Sequence, residues 1–214
     1  MTEPIILAVD LGTSGMKVAL ITVSGKVLGW EAEPIQLILT PDNGVEQSPD
    51  EWWNAFLSAT KRLIAKNPSA ARLIRAVCCS TQGAGTIPVD KDGNALGNCI
   101  LWMDMRGAPH LRRRLGGLVN IDGADILKVL RFVRLTGGMP SMTGKDPAAH
   151  MLLIRDTMPE VYARTYKFLN VLDYINLRLT GEFVATFDSI VTSWVTDNRN
   201  PDDIRYDGLL IRIL

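Results

Sequence analysis

The segment Asp10-Leu-Gly-Thr-Ser-Gly-Met-Lys17 constrains this chain most. An unbroken apolar run, Ile5-Ile-Leu-Ala-Val9, leads into it, and Val18-Ala-Leu-Ile-Thr-Val23 leads away. Only the eight residues Asp10–Lys17, with two glycines and two hydroxyl residues at their centre, separate the two runs. A parallel return needs a crossover of about a dozen residues, so the pair must be antiparallel. A dinucleotide-binding unit would place a helix directly after the glycines. The β-branched stretch from Lys17 to Val23 lacks a helical period and argues against one. The expected strands cover about 4–10 and 16–23, and Ser24-Gly25 turns into a third near 26–36.

Such a strand-turn-strand gathers backbone N–H groups, hydroxyls and one cation around a concavity suited to phosphate oxygens. Asp10 is the candidate for organising a divalent metal through its waters. Gly12 and Gly15 would allow close backbone approach or positive φ. Thr13 and Ser14 would donate to phosphate oxygens, and Lys17 would reach them as a point charge. The structural alternatives stay open: an aspartate capping its own turn, turn-forming hydroxyls and an exposed lysine. Phosphoryl transfer is the first functional hypothesis.

Downstream, Ser48-Pro49-Asp50-Glu51 combines an N-cap, a proline at the first helical position and a capping-box glutamate. Trp52, Trp53, Phe56, Leu57, Leu63 and Ile64 recur at helical spacing as far as Asn67-Pro68. Leu73-Ile-Arg-Ala-Val-Cys-Cys79 reads as a buried parallel strand after that helix, ending in Ser80-Thr-Gln-Gly-Ala-Gly85. A hairpin is expected from Thr86–Val89, through Asp90-Lys-Asp-Gly93, to Ala95-Leu96. The remainder reads as mostly helical. Helices are expected over Pro147–Asp156, with Met151, Leu152 and Ile154 inward, and over 171–179, stopping at Thr180-Gly181. The apolar end, Leu209-Leu-Ile-Arg-Ile-Leu214, is either a docked terminal helix or a chain cut short inside its fold.

Apolar residues make up 47% of the 214 and charged residues 21%, enough for a sizeable core. Lys+Arg and Asp+Glu balance at 23 each, so nothing suggests nucleic acid or an anionic membrane as partner. Arg112-Arg-Arg114 reads as a solvated helix face. Cys78, Cys79 and Cys99 show no metal-ligand spacing and are expected to be buried, reduced thiols in the cytoplasm. No run approaches the ~20 apolar residues that span a bilayer, and the opening residues lack a signal-peptide pattern. His110 and His150 have no evident carboxylate partner and read as structural.

Several of these pieces together resemble the FGGY carbohydrate kinases, the group of xylulokinase, gluconokinase and glycerol kinase. Ala8-Val-Asp-Leu-Gly-Thr-Ser-Gly-Met-Lys-Val18 is similar to their first phosphate motif. Glu46-Gln-Ser-Pro-Asp-Glu-Trp-Trp53 resembles their entry into the first helix. Ser80-Thr-Gln82, Asp90-Lys-Asp-Gly93 and Ile100-Leu-Trp-Met-Asp-Met-Arg106 follow the order of their sugar-site strand, hairpin and following element. Pro159–Arg164, Asp173-Tyr174 and Leu179-Thr-Gly-Glu182 match later landmarks.

The resemblance implies an α/β fold: a ribonuclease H-like mixed sheet of the actin/hexokinase superfamily with flanking helices. It implies ATP and Mg²⁺ as cofactors and a sugar or polyol as acceptor. Asp10, Gly12, Thr13, Ser14 and Lys17 would face the nucleotide phosphates. Gln82, Trp102, Asp104 and Arg106 would face the sugar, with an Asp104–Arg106 ion pair as the alternative for the last two. Residues 1–214 would be the N-terminal, incomplete domain, with the C-terminal domain as its missing partner; a homodimer is left open. The general-base aspartate is expected beyond Leu214, so the chain alone is expected to be nearly inactive. Xylulokinases usually carry Met-His just after the glutamine. Here Gly83 and Ala84 stand there, which favours a sugar other than D-xylulose, or a divergent or inactive site. A non-catalytic binding module and another actin-superfamily ATPase are the alternative readings.

Overall fold

The computed structural model describes residues 3–214. The chain divides into two compact units: residues up to Ile38 together with Gln47–Gln82, and Leu39–Glu46 together with Gly83–Leu214. In chain order the first elements are β1 (Ile5–Gly12), β2 (Gly15–Thr22), β3 (Val27–Pro34), β4 (Ile38–Leu39), β5 (Val45–Gln47), α1 (Pro49–Lys66), α2 (Pro68–Ala71) and β6 (Ile74–Thr81).

The first unit is built on a four-stranded sheet of order β3-β2-β1-β6. β1 pairs antiparallel with β2, and β2 with β3, as the short turns require. β6 returns parallel to β1 after the α1 crossover. Alternation does the sorting. Ile5, Leu7, Val9 and Leu11 of β1 and Met16, Val18 and Leu20 of β2 are buried, while Ile6, Ala8, Asp10 and Gly12 fall on the other face of β1.

α1 packs against β2 and β3. Ser48 caps it by accepting from the Glu51 N–H, and Pro49 occupies its first turn. Its inward face is Trp52, Ala55, Phe56, Ala59 and Leu63. Each large apolar side chain buried there contributes about 1.5–3 kcal/mol. Leu57 and Ile64, which belong to the same helically spaced set, are exposed. Each lies one position beyond a more deeply buried residue, Phe56 and Leu63, about 100° further round the helix and at the edge of the inward face.

β6 departs further from expectation. It is parallel as predicted, but it is the sheet edge, and Val77 and Cys78 are exposed. A continuous apolar run marks a strand covered on both faces, and at an edge the same residues meet solvent. Cys79 is half-buried and only Cys99 is fully buried, so burial of all three thiols is not observed. Burial pushes the Cys99 thiol well above the ordinary cysteine range.

The second unit continues with β7 (Ile87–Val89), β8 (Cys99–Ile100), α3 (Ala108–Leu115), β9 (Asn120–Ile121), β10 (Ala124–Asp125), α4 (Ile126–Thr136), α5 (Pro147–Thr157), α6 (Pro159–Arg164), β11 (Lys167–Leu169), α7 (Val171–Thr180), α8 (Phe187–Val191), β12 (Thr196–Asp197), β13 (Arg205–Tyr206) and α9 (Gly208–Ile213). β7 finds its ladder partner in β11. The expected hairpin return shrinks to a Val89–Ala95 bridge, because Asp90 folds the turn onto Asn94. α4 and α7 each end on a left-handed glycine, Gly137 and Gly181. In α5, Leu152, Leu153 and Ile154 are buried and Met151 only partly.

One core cluster joins Leu111, Leu115, Phe132, Leu135 and Leu152 to Leu210 and Leu214. Leu210 and Leu214 of the apolar end are thus packed into this core, and α9 is docked on it. Arg112, Arg113 and Arg114 are exposed on the last turn of α3, the solvated face expected of them. No helix among the described residues is long and apolar enough to cross a membrane.

Candidate active site

Strand register sets the first constellation. Asp10 lies opposite Lys17 on β2 and opposite Ser80 on β6. Lys17 Nζ donates to Asp10 Oδ2 at 3.2 Å, and Ser80 Oγ donates to Oδ1 at 3.0 Å. Both members of the ion pair are half or more exposed, 60% for Lys17 and 50% for Asp10, so the pair holds geometry more than it adds stability. Solvent and a ligand can reach the carboxylate.

Thr13 and Ser14 form the turn between β1 and β2, and Gly12 and Gly15 close it as opposite partners. Neither glycine has positive φ. Gly15 is needed for close approach: a Cβ there would sit 2.8 Å from the Glu33 carbonyl oxygen of β3. Ser14 is exposed at the tip, while its carbonyl accepts from the Ile35 N–H at 3.3 Å.

Thr13 is tied inward. Its Oγ1 donates to Gln82 Oε1 at 2.9 Å, and its carbonyl accepts from Gln47 Nε2 at 2.7 Å. Gln82 Nε2 donates to Gln47 Oε1 at 2.7 Å, and the Trp52 indole N–H donates to the same oxygen at 3.2 Å. The Gln82 backbone N–H donates to the Leu11 carbonyl at 2.7 Å. The structure thus joins the predicted phosphate turn to the predicted sugar-side glutamine. Gln47, which sequence reasoning treated only as part of a helix entry, is fully buried at the centre of the network. The available signal was an uncharged polar residue directly before a helix N-cap, in an otherwise strand-like run.

The other sugar-side candidates belong to the second unit. Trp102 is 43% exposed. Asp104 is fully buried and its carboxylate is occupied. Oδ2 accepts from the Val45 N–H at 2.8 Å, Oδ1 accepts from the Arg106 N–H at 2.8 Å, and the Arg106 guanidinium reaches both oxygens. Of the two roles left open by the sequence, the geometry shows the ion pair. Glu46 at 2.6 Å and Asp42 at 3.1 Å complete the shell around Arg106. Burial works against the Arg106 charge, but the bonds to Asp104, Glu46 and Asp42 outweigh it and raise its pKa. Gly44 leaves the room: a Cβ there would overlap the guanidinium carbon. Neither Glu46 nor Asp42 was anticipated as a partner.

Both histidines have partners. His110 Nδ1 sits 2.7 Å from Asp156 Oδ2, a carboxylate contact that sequence spacing did not reveal across 46 residues. His150 is fully buried, with Nδ1 3.1 Å from Thr86 Oγ1 and Nε2 3.2 Å from the Asp104 carbonyl. A carbonyl only accepts, so Nε2 carries the proton and Nδ1 accepts from the threonine. Burial holds its pKa below the ordinary value. Gly83 faces open space and Ala84 adopts φ 45°, so neither position presents a long side chain.

The donor set bears on the metal. Among the described residues, no three His, Cys, Asp or Glu side chains are gathered so as to hold an ion. A lone, accessible carboxylate fits Mg²⁺ that keeps its waters and arrives with phosphates, rather than a caged resident ion.

The family description "FGGY family of carbohydrate kinases, N-terminal domain" matches residues 5–202. A xylulose kinase from Bacillus subtilis is 29% identical over 82% of this chain and 33% of its own length. An erythritol kinase from Brucella abortus is 30% identical over 96% of this chain and 38% of its own length. The crystal structure of a xyloylose kinase from Brucella ovis superposes with a TM-score of 0.83 at 24% identity, over 97% of this chain and 40% of that one. The chain thus spans between a third and two-fifths of the relatives it matches. Its mixed sheet with flanking helices is the fold of these structural neighbours. The chain belongs to the FGGY family of carbohydrate kinases, and the part of that family it matches is the N-terminal domain.

Proposed function

We propose that this chain is the N-terminal portion of an ATP-dependent kinase that phosphorylates a hydroxyl of a small sugar or polyol in the cytoplasm. The observation that carries the reading is the 2.9 Å Thr13–Gln82 hydrogen bond, which ties a phosphate-type turn to a side chain suited to a sugar hydroxyl. ATP with Mg²⁺ would supply the transferable phosphoryl group and neutralise its charge. Within this chain, Asp10 would hold the metal through its waters. Lys17 sets the position of that carboxylate and offers a point charge to phosphate oxygens. The turn N–H groups and Ser14 add donors. On the acceptor side, Gln82 binds a hydroxyl and Trp102 offers an apolar wall to the sugar. Contact of Asp104 or Arg106 with sugar hydroxyls requires part of their ion-pair shell to open. The short residues at 83 and 84 favour an acceptor other than D-xylulose.

The general base and the second nucleotide-binding half are assigned to sequence beyond these 214 residues. A positioned base contributes about 10²–10⁴-fold in rate, and positioning of the two substrates contributes further. The test is ADP release over a panel of pentuloses, tetritols, aldonates and glycerol, run on this chain and on a longer protein containing it. Sugar-dependent turnover is expected from the longer protein only. Ordinary turnover by the 214-residue chain would contradict the assignment of the base, and no acceptor at all would contradict the kinase reading.

A further inference from the structure

We propose that Gln47 is a positioning residue that locks the Gly12–Gly15 turn to Gln82, so that the two ends of the site move as one piece. What those ends bind rests on the kinase reading above; the lock itself does not.

The argument starts from donor and acceptor polarity. An indole N–H only donates, so the side-chain atom of Gln47 facing Trp52 must be Oε1. That leaves Nε2 to face the Thr13 carbonyl, which only accepts. Because Gln47 presents Oε1 to Gln82 as well, Gln82 must answer with Nε2. Its own Oε1 then faces the Thr13 hydroxyl, which donates. Every orientation follows from the one at Trp52, a fully buried residue of α1. The result is a closed ring in which Thr13 is held twice, by carbonyl and by hydroxyl, through two glutamines bonded to each other.

A carboxamide satisfies this position without any change of protonation. An ionised glutamate keeps the two acceptances but cannot donate to Thr13, the neutral acid can, and leucine neither accepts nor donates. Gln47 is fully buried, so a broken link is not made good by water. One N–H and one lone pair of the Gln82 carboxamide lie outside the ring, and these are what a substrate hydroxyl would use. Occupying them pulls on the same carboxamide that holds the turn, which makes acceptor and nucleotide affinities reciprocal.

The test uses Gln47→Leu, with Thr13→Val and Thr13→Ser as a second route should the apolar replacement prevent folding. The first readout is amide hydrogen exchange in the 214-residue chain. Gln47→Leu and Thr13→Val are each expected to speed exchange about 10-fold at both the Gly12–Gly15 turn and Gln82. Central β1 and β2 amides should be unchanged, and Thr13→Ser should restore protection. Faster exchange at one end only, or at neither, overturns the lock. The second readout is steady-state ADP release by the longer protein, where Gln47→Leu should raise KM for nucleotide and acceptor together. A rise in only one KM also overturns it. Coupled exchange with both KM values unmoved would uphold the lock and instead count against the kinase roles given to its ends.

Discussion

Thr13 and Gln82 lie 69 residues apart in sequence, yet the hydroxyl of one donates to the carboxamide of the other across 2.9 Å. The parallel pairing of β1 with β6 makes this contact, because both residues follow directly from paired strand ends. Thr13→Val should therefore lower stability by about 1 kcal/mol, the net worth of one such bond. Thr13→Ser should recover most of it. Urea unfolding of the three proteins checks this, with equal m-values expected.

Gly15 is held by its neighbour rather than by its own torsion. A Cβ would meet the Glu33 carbonyl at 2.8 Å, and that oxygen belongs to strand backbone that cannot swing away. Gly15→Ala should destabilise by roughly 1–3 kcal/mol. Gly83→Ala, where a Cβ meets open space, should change the midpoint little. Thermal melts of the two variants make the comparison.

Asp104 has no exposure and carries the Arg106 guanidinium, the Arg106 N–H and the Val45 N–H. Removing it leaves a largely buried cation with only Glu46 and Asp42. Asp104→Ala should cost about 3–5 kcal/mol. Arg106→Lys should also destabilise, since an ammonium cannot reproduce the fork that meets Asp104, Glu46 and Asp42 at once. Equilibrium denaturation would show both losses; an unchanged Arg106→Lys midpoint would argue against the fork.

His150 predicts a pH dependence. Burial lowers its folded-state pKa, so between that value and about 6.5 the unfolded chain binds the extra proton. Its contribution is fully present above about pH 6.5 and is lost as pH falls through the folded value. Asp104, Asp146 and Arg106 set its electrostatic surroundings. Denaturation midpoints should fall between neutral pH and pH 5, and His150→Gln should flatten that slope while keeping a donor and an acceptor. Asp173, whose carboxyl burial pushes above the ordinary range, works in the opposite sense. Its contribution is present below about pH 4 and is lost as pH rises through its raised folded value.

Local chemistry made much of the first unit readable. An unbroken apolar run and a β-branched stretch placed β1 and β2, turn length made them antiparallel, and Ser48-Pro49 with Glu51 marked the start of α1. The parallel course of β6 followed from the helix before it, but its exposure did not, because an apolar run does not say which neighbours will cover it. Candidate residues near the turn were legible as types. Their partners were not: Gln47, Glu46 and Asp156 are brought to Thr13, Arg106 and His110 by the fold alone. Asp104 showed the limit most clearly, since a carboxylate that binds hydroxyls and one that clasps an arginine look the same in sequence.

The most direct test of the central claim, that the Asp10–Lys17 turn serves phosphoryl transfer, is the ADP-release rate of Asp10→Ala in a longer protein carrying this domain. The carboxylate is half exposed and held by Lys17 and Ser80, so its loss should leave the fold intact. The account predicts a fall in kcat of about 10²–10³-fold at saturating acceptor, the scale of losing a preorganised electrostatic contact. An unchanged kcat in a folded Asp10→Ala protein would contradict it.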